Sequence, residues 1–264
     1  MMDDKVRVSC VSYLNSVPFI FGLKGHAISH RISLSLDTPA ECARKLAGRE
    51  ADIGLVPVAA IPHIAGARQI TRWCIASDGP VRSVMMFADR PMDQVKTVLL
   101  DYQSHTSNML VRILAGNFWG ISPEFRQAGP GFENEIRGEV AGVVIGDRAL
   151  NMHSLFAYGY DLAEAWKAYT GKPFVFARWV TTTNPNAKFI SDFDEALGMG
   201  IGNLDAVVGS LATTGFNETF AESYLKNNLR YEFGERYREG LELFMALISE
   251  LETGSPAERH LRPH

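Results

Sequence analysis

Apolar and polar positions alternate with period two over Val6-Arg7-Val8-Ser9-Cys10 and over Ile32-Ser33-Leu34-Ser35-Leu36. That is the pattern of half-buried strands. Apolar runs at 51–58, 81–88, 95–101, 138–147 and 173–180 predict further strands. Between them the sequence carries helix starts. Thr38-Pro39-Ala40-Glu41 offers a capping threonine, a proline suited to the first helical position and a capping-box carboxylate. Ala43, Leu46 and Ala47 then form a stripe, and Gly48 can end the helix. Asp161-Leu162-Ala163-Glu164 opens another helix by the same rule, closed by Gly171. A third carries Leu110, Val111, Leu114 and Phe118. The last part of the chain is expected to be helical: Asp192 to about Ala212, Glu218 to Asn228, and Glu235 to Leu251. Leu241, Phe244, Leu247, Ile248 and Leu251 share one face of the last of these. Asp89-Arg90-Pro91 breaks the pattern, and 173–180 is a candidate return. The expectation is an α/β protein of two lobes, residues 1–88 with 181–264 and residues 89–180, with a ligand cleft that closes by hinge motion.

Composition narrows the class. The 264 residues suffice for two lobes, and 46% hydrophobic with 21% charged residues is an ordinary globular balance. With a net charge of −4, no basic run and no arginine–aromatic interleaving, no nucleic-acid partner is expected. No window approaches a membrane helix, so no membrane partner is expected either. Met1-Met2-Asp3-Asp4-Lys5 does not resemble a secretory signal, and a cytoplasmic location is expected. Cys10, Cys42 and Cys74 are too far apart for a zinc pattern and read as buried thiols. His260 and His264 read as solvated. No metal or cofactor is expected. Gly198-Met199-Gly200-Ile201-Gly202 has the look of a dinucleotide fingerprint but follows a helical pattern, not a strand, and is set aside.

Candidate chemistry gathers where strands end. Tyr13, Asn15 and Ser16 follow the first strand and precede Pro18, a corner where amide and hydroxyl groups can meet a ligand. Asn15 could equally bond its own turn. Ser104, Thr106 and Ser107 lie between a strand and a helix start, where orphan amides and the positive dipole end favour an anion, although one hydroxyl suffices as a cap. Ser83 stands near a strand start. Asp147 ends the 138–147 strand and can cap the turn that follows.

Tyr13-Leu14-Asn15-Ser16-x-Pro18-Phe19 resembles the amino-terminal signature of the chorismate dehydratases of the futalosine route to menaquinone. The resemblance continues through Ala51-Asp52-Ile53-Gly54-Leu55-Val56-Pro57, Gly79-Pro80-Val81-Arg82-Ser83-Val84, Ser104-x-Thr106-Ser107, Ile145-Gly146-Asp147-x-Ala149-Leu150 and Thr170-Gly171-x-Pro173-Phe174-Val175-Phe176-Ala177. Ala163 stands where the family often has glycine. The resemblance implies a fold like type II periplasmic binding proteins. It also implies a cofactor-independent hydro-lyase that removes water from chorismate, giving 3-[(1-carboxyvinyl)oxy]benzoate. Asn15 and Ser83 are then the catalytic candidates, with Tyr13, Ser16, Pro57, Ser104, Thr106, Ser107 and Asp147 as substrate contacts and Ser83 expected near Asn15. The matched strand ends hold no histidine or glutamate to act as base. His105 and Asp147 are adjacent, and the substrate's own side-chain carboxylate is a further acceptor. The contrasting reading is a ligand-binding module of the same fold without chemistry.

Overall fold

The computed structural model describes residues 5–211 and 217–253. Its strands and main helices, in chain order, begin with β1 (Val6–Val11), α1 (Val17–Gly25), β2 (Ile32–Asp37), α2 (Pro39–Ala47), β3 (Ile53–Pro57) and β4 (Arg68–Ser77). The middle holds β5 (Val84–Ala88), β6 (Thr97–Leu100), α3 (His105–Leu114), β7 (Glu124–Gln127), β8 (Val140–Ile145), α4 (Gly146–Met152), β9 (Tyr158–Asp161) and α5 (Leu162–Thr170). The chain closes with β10 (Phe174–Thr181), α6 (Ala187–Ile201), α7 (Leu204–Gly209), α8 (Glu218–Ser223), β11 (Arg230–Glu232) and α9 (Glu235–Thr253). His260, His264 and Ala212 lie outside the described residues.

Two compact units result, Met1–Ala76 with Phe176–Phe233 and Ser77–Val175 with Gly234–His264. The first is built on a six-stranded sheet, β11-β4-β10-β3-β1-β2, and the second on a five-stranded sheet, β7-β6-β8-β5-β9. These bounds correct the expected lobes at both ends. β5 was expected in the first lobe, yet it lies between β8 and β9 in the second sheet, so Asp89-Arg90-Pro91 is a turn within one unit. The chain instead passes between units within the long strands β4 and β10. α9 also belongs to the second unit. There Phe244 packs edge-on against Trp166 and Phe174, and Gly240 lets the helix approach the Pro173 carbonyl more closely than a Cβ would permit.

In the first unit β1 runs parallel to β2 and β3, with Val8 opposite both Leu34 and Ile53, so their carboxyl ends share one sheet edge. Thr38 caps α2 by accepting from the Glu41 amide at 3.3 Å, as the sequence predicts. The corner expected up to Pro18 is short, because Val17 to Gly25 is a helix with Pro18 in its first turn. α1 crosses α6 at backbone contact. A Cβ on Gly200 would lie 1.7 Å from the Pro18 carbonyl oxygen, and one on Gly22 would lie 1.9 Å from that of Ala196. The glycine-rich string at 198–202 thus serves helix packing, not a phosphate. Cys10, Cys42 and Cys74 are buried free thiols. No helix among the described residues is long and apolar enough to cross a membrane.

Candidate functional site

At the carboxyl edge of the first sheet, β1 ends at Val11 and the chain takes a single 3-10 turn, Leu14–Ser16, before entering α1. The Ser12 amide donates to the Asp37 carbonyl at 2.9 Å, which ties this exit to the end of β2. Asp37 is itself fixed. Its Oδ2 accepts from Ser9 at 2.7 Å and Ser35 at 2.6 Å, and its Oδ1 meets Lys45 Nζ at 2.6 Å. Burial pushes its carboxyl up, but these donors hold it below the usual carboxylate range.

Asn15 is half-buried and held from two sides. Ser16 Oγ donates to its Oδ1 at 2.9 Å, and the buried Tyr231 hydroxyl donates to its backbone carbonyl at 3.1 Å. Tyr231 and Trp179 both meet Phe19 edge-on, so a packed aromatic cluster supports the turn. The bond from Ser16 leaves the Asn15 Nδ2 amino group as the donor edge that faces away from it. Tyr13 is half-buried and Ser16 fully buried. Pro57 is the buried last residue of β3, opposite Ala177 of β10, at the same sheet edge.

The second unit gathers the other candidates at one sheet edge. β6 and β8 are parallel, so the starts of α3 and α4 both follow carboxyl ends at that edge. Ser104 caps α3. Its Oγ accepts from the Ser107 amide at 3.1 Å and donates to Ser107 Oγ at 2.8 Å. Ser104, Thr106 and Ser107 are all buried, and Ser107 keeps its own proton to donate onward. β5 is antiparallel to β8, which brings its first residues beside the start of α4, and the Gly146 amide donates to the Ser83 carbonyl at 2.8 Å. Ser83 therefore belongs with the Ser104 set in the second unit, not in the unit that holds Asn15. Asp147 stands in the first turn of α4 and is not its cap, a place taken by Ile145.

Residues that the motifs did not single out hold this edge together. Asp101 is fully buried. Its Oδ1 accepts from the Gln103 amide at 2.9 Å, and its Oδ2 accepts from the Ile145 amide at 3.1 Å and Arg148 Nη2 at 2.6 Å. Burial pushes the Asp101 carboxyl up, and Arg148 with the two amides works against that shift. Arg148 also pairs with Glu133. Asp161 caps α5 through the Ala163 and Glu164 amides and receives the Arg82 amide on its other oxygen. Arg82 is left-handed, with φ 64°, and His153 Nε2 is 2.7 Å from its carbonyl. His105 is exposed and lines a pocket of about 350 Å³ with Asn108, Arg112, Gln127 and Glu252.

Among the described residues no group of three or more His, Cys, Asp or Glu could hold a metal. Each edge is instead a set of neutral donors on a rigid frame. The second adds a helix amino terminus, an arrangement suited to carboxylates and to charge that develops on oxygen.

Three solved structures share the fold over nearly the whole chain. Protein AF1704 from Archaeoglobus fulgidus matches at 12% identity with a TM-score of 0.77, covering 96% of this chain and 99% of that one. The alkanesulfonate-binding protein SsuA from Xanthomonas axonopodis pv. citri, bound to MOPS, matches at 13% identity and TM-score 0.68, with 97% and 95% covered. An ABC transporter from Parabacteroides distasonis matches at 15% identity and TM-score 0.65, with 96% and 95% covered. The fold is that of the periplasmic binding proteins. The family model described as menaquinone biosynthesis matches residues 6–250.

Proposed function

Since the chain belongs to the menaquinone biosynthesis family, we propose that it is the chorismate dehydratase of that route, a cofactor-independent hydro-lyase acting in the cytoplasm. The observation that carries this reading is Asn15. The Tyr13-Leu14-Asn15-Ser16 string forms a braced turn at a sheet edge, with the amide oriented by Ser16 and the backbone held by Tyr231.

The chemistry suits neutral donors. The hydrogen on the ring carbon that bears the enolpyruvyl ether is vinylogous to the ring carboxylate, so its removal delocalises charge onto that group. The neighbouring hydroxyl then leaves, and aromatisation drives the step. The ring proton and the departing hydroxyl are lost as one water, so no oxidant is needed. Asn15 is the proposed donor to charge at the reacting centre, and Ser83 is a second candidate donor. Ser104, Thr106 and Ser107 hold a carboxylate at the start of α3, and Tyr13, Ser16, Pro57 and Asp147 complete the contacts.

The test is incubation of the purified protein with chorismate, followed by ultraviolet absorbance and mass spectrometry. The expected result is an aromatic product lighter than chorismate by one water. Saturable binding with chorismate recovered unchanged would favour a binding protein, as the sulfonate-binding neighbour is.

A further inference from the structure

Arg178, in β10, is the one buried cation among the described residues, at 4% exposure. Its Nη2 donates to the Thr71 carbonyl at 3.2 Å, while Nε and Nη1 are enclosed and meet no acceptor. The guanidinium carbon lies 3.6 Å from the centre of the Phe233 ring. A guanidinium does not give up its proton, so the charge stays, and burial works against it. No carboxylate among the described residues pairs with it. Its titratable neighbour is Cys74, whose thiol is pushed up to about 12, chiefly by burial, and so stays neutral.

Two features of the backbone aim this side chain. Arg178 pairs with Val56, one residue inside the Ala177–Pro57 pair that ends β3. Thr71, which turns its carbonyl to Nη2, is held at φ 63°, a conformation that β-branched residues rarely adopt. If packing were the only role, an apolar side chain would fill the place without the cost of an uncompensated charge. A planar cation stacked on an aromatic face, with two donors unspent, is a carboxylate recognition element.

We propose that Arg178 is the seat of a carboxylate anion, bound through Nε and Nη1 with the Phe233 ring as its cover. The ring is half-exposed while the Phe233 amide is tied to the Arg72 carbonyl at 2.8 Å, so the cover opens by rotation of its side chain on a held backbone. The carboxylate is supplied either by the substrate or by a free small acid.

The test is calorimetry and thermal melting of the full chain with benzoate and, separately, with chorismate, at constant ionic strength. The unmodified protein is expected to bind at least one of them saturably. R178M is expected to weaken that binding tenfold or more while melting, without ligand, no lower than the unmodified protein. R178K keeps the charge without the planar donors and should lose most of the same affinity, and it serves alone if R178M does not fold. Dependence on Arg178 for chorismate only assigns the seat to the substrate. Benzoate binding that depends on Arg178 and persists with chorismate bound assigns it to a free acid. Equal affinities in the unmodified protein and the variants, or no saturable binding of either anion, overturn the proposal. Benzoate binding does not rest on the dehydratase reading, and turnover of chorismate without any Arg178-dependent binding would leave that reading standing.

Discussion

The backbone amide of Arg82 donates to Asp161 Oδ2 at 2.6 Å, so the carboxylate that caps α5 also holds the entrance to β5. Arg82 is left-handed there, and the next residue is Ser83. Left-handed backbone costs a non-glycine residue about 1–2 kcal/mol, and the charged acceptor offsets that. Asp161→Ala removes three amide contacts and is expected to cost about 2–4 kcal/mol of stability, from the values for hydrogen bonds to charge and for lost caps. It is also expected to lower turnover, because Ser83 loses its frame. Asp161→Asn keeps one acceptor oxygen but turns an amino group toward the other donors, and should fall between. Denaturant melts and initial rates on both variants check this. Normal rates in a destabilised Asp161→Asn protein would separate the brace from Ser83 function.

Asp37 makes a pH-dependent contribution whose sign is fixed by its depressed carboxyl. The folded form keeps the charge to lower pH than the unfolded chain, whose value is near 3.8. The stabilisation is therefore present in full above that value and is lost as pH falls below it toward the folded value. Asp37→Asn is expected to be less stable than the parent at pH 7, and the gap should narrow on acidification below about pH 4. Paired urea melts at pH 7 and pH 3 measure the gap. A gap that stays constant would assign the loss to shape and not to charge.

The crossing of α1 and α6 gives a sharper stability test. Gly200→Ala places a methyl group against the Pro18 carbonyl, which cannot move without shifting the first turn of α1. The expected cost is about 1–3 kcal/mol or more, the range for overpacked sites. Gly209→Ala, with nothing within 4 Å of its added Cβ, is the matched control and should be close to neutral. Helix propensity alone favours alanine at both sites, so equal effects at the two would show that the crossing does not set the outcome at Gly200.

What could be read from the chain alone follows from how local each signal is. α2 and α5 carry their own caps, Thr38 and Asp161, within three residues of the amides they bond, and β1 carries its period of two. α1 has no clear signal in the sequence because Pro18 after polar Asn15 and Ser16 reads as a break, whereas a proline in the first turn is equally a helix start. β4 has no clean period, since Thr71 interrupts it with positive φ, and β7, β9 and β11 are no longer than four residues. The unit to which α9 belongs depends on Phe244 meeting Trp166 and Phe174, contacts that no window along the helix contains. The same holds for the site. The hydroxyls of 104–107 were visible as a cluster, but Asp101 reaches Ile145 and Arg148, and Asp161 reaches Arg82, across dozens of residues. Such pairs leave no spacing to detect.

Thr106 and Ser107 test the proposed anion site at the start of α3. Replacing both with alanine leaves the Ser104 cap on the Ser107 backbone amide intact, so the helix should still form. Chorismate binding is expected to weaken by about 1–3 kcal/mol, the scale for hydrogen bonds to a charged group. Calorimetric titration alongside a melting curve reads this directly. Unchanged affinity in a folded double variant would leave these hydroxyls a structural role only.

Asn15 is where sequence, structure and proposed chemistry bear on one side chain. Its Oδ1 accepts from Ser16, so the group presented onward is the neutral amino donor. A neutral donor can bond a dianionic substrate near its departing hydroxyl or ring carboxylate without repelling it. Asn15→Asp keeps the shape and still accepts from Ser16, but it trades the donor for an acceptor and sets negative charge beside negative charge. Turnover is expected to fall roughly 100-fold or more, the scale seen when one preorganised donor is removed from an oxyanion site. Stability should change little, because the bonds from Ser16 Oγ and the Tyr231 hydroxyl both survive the substitution. Rates with chorismate and melting temperatures on the same preparation decide the point. A large fall in melting temperature with near-normal turnover would make Asn15 a turn-forming residue and remove it from the reaction.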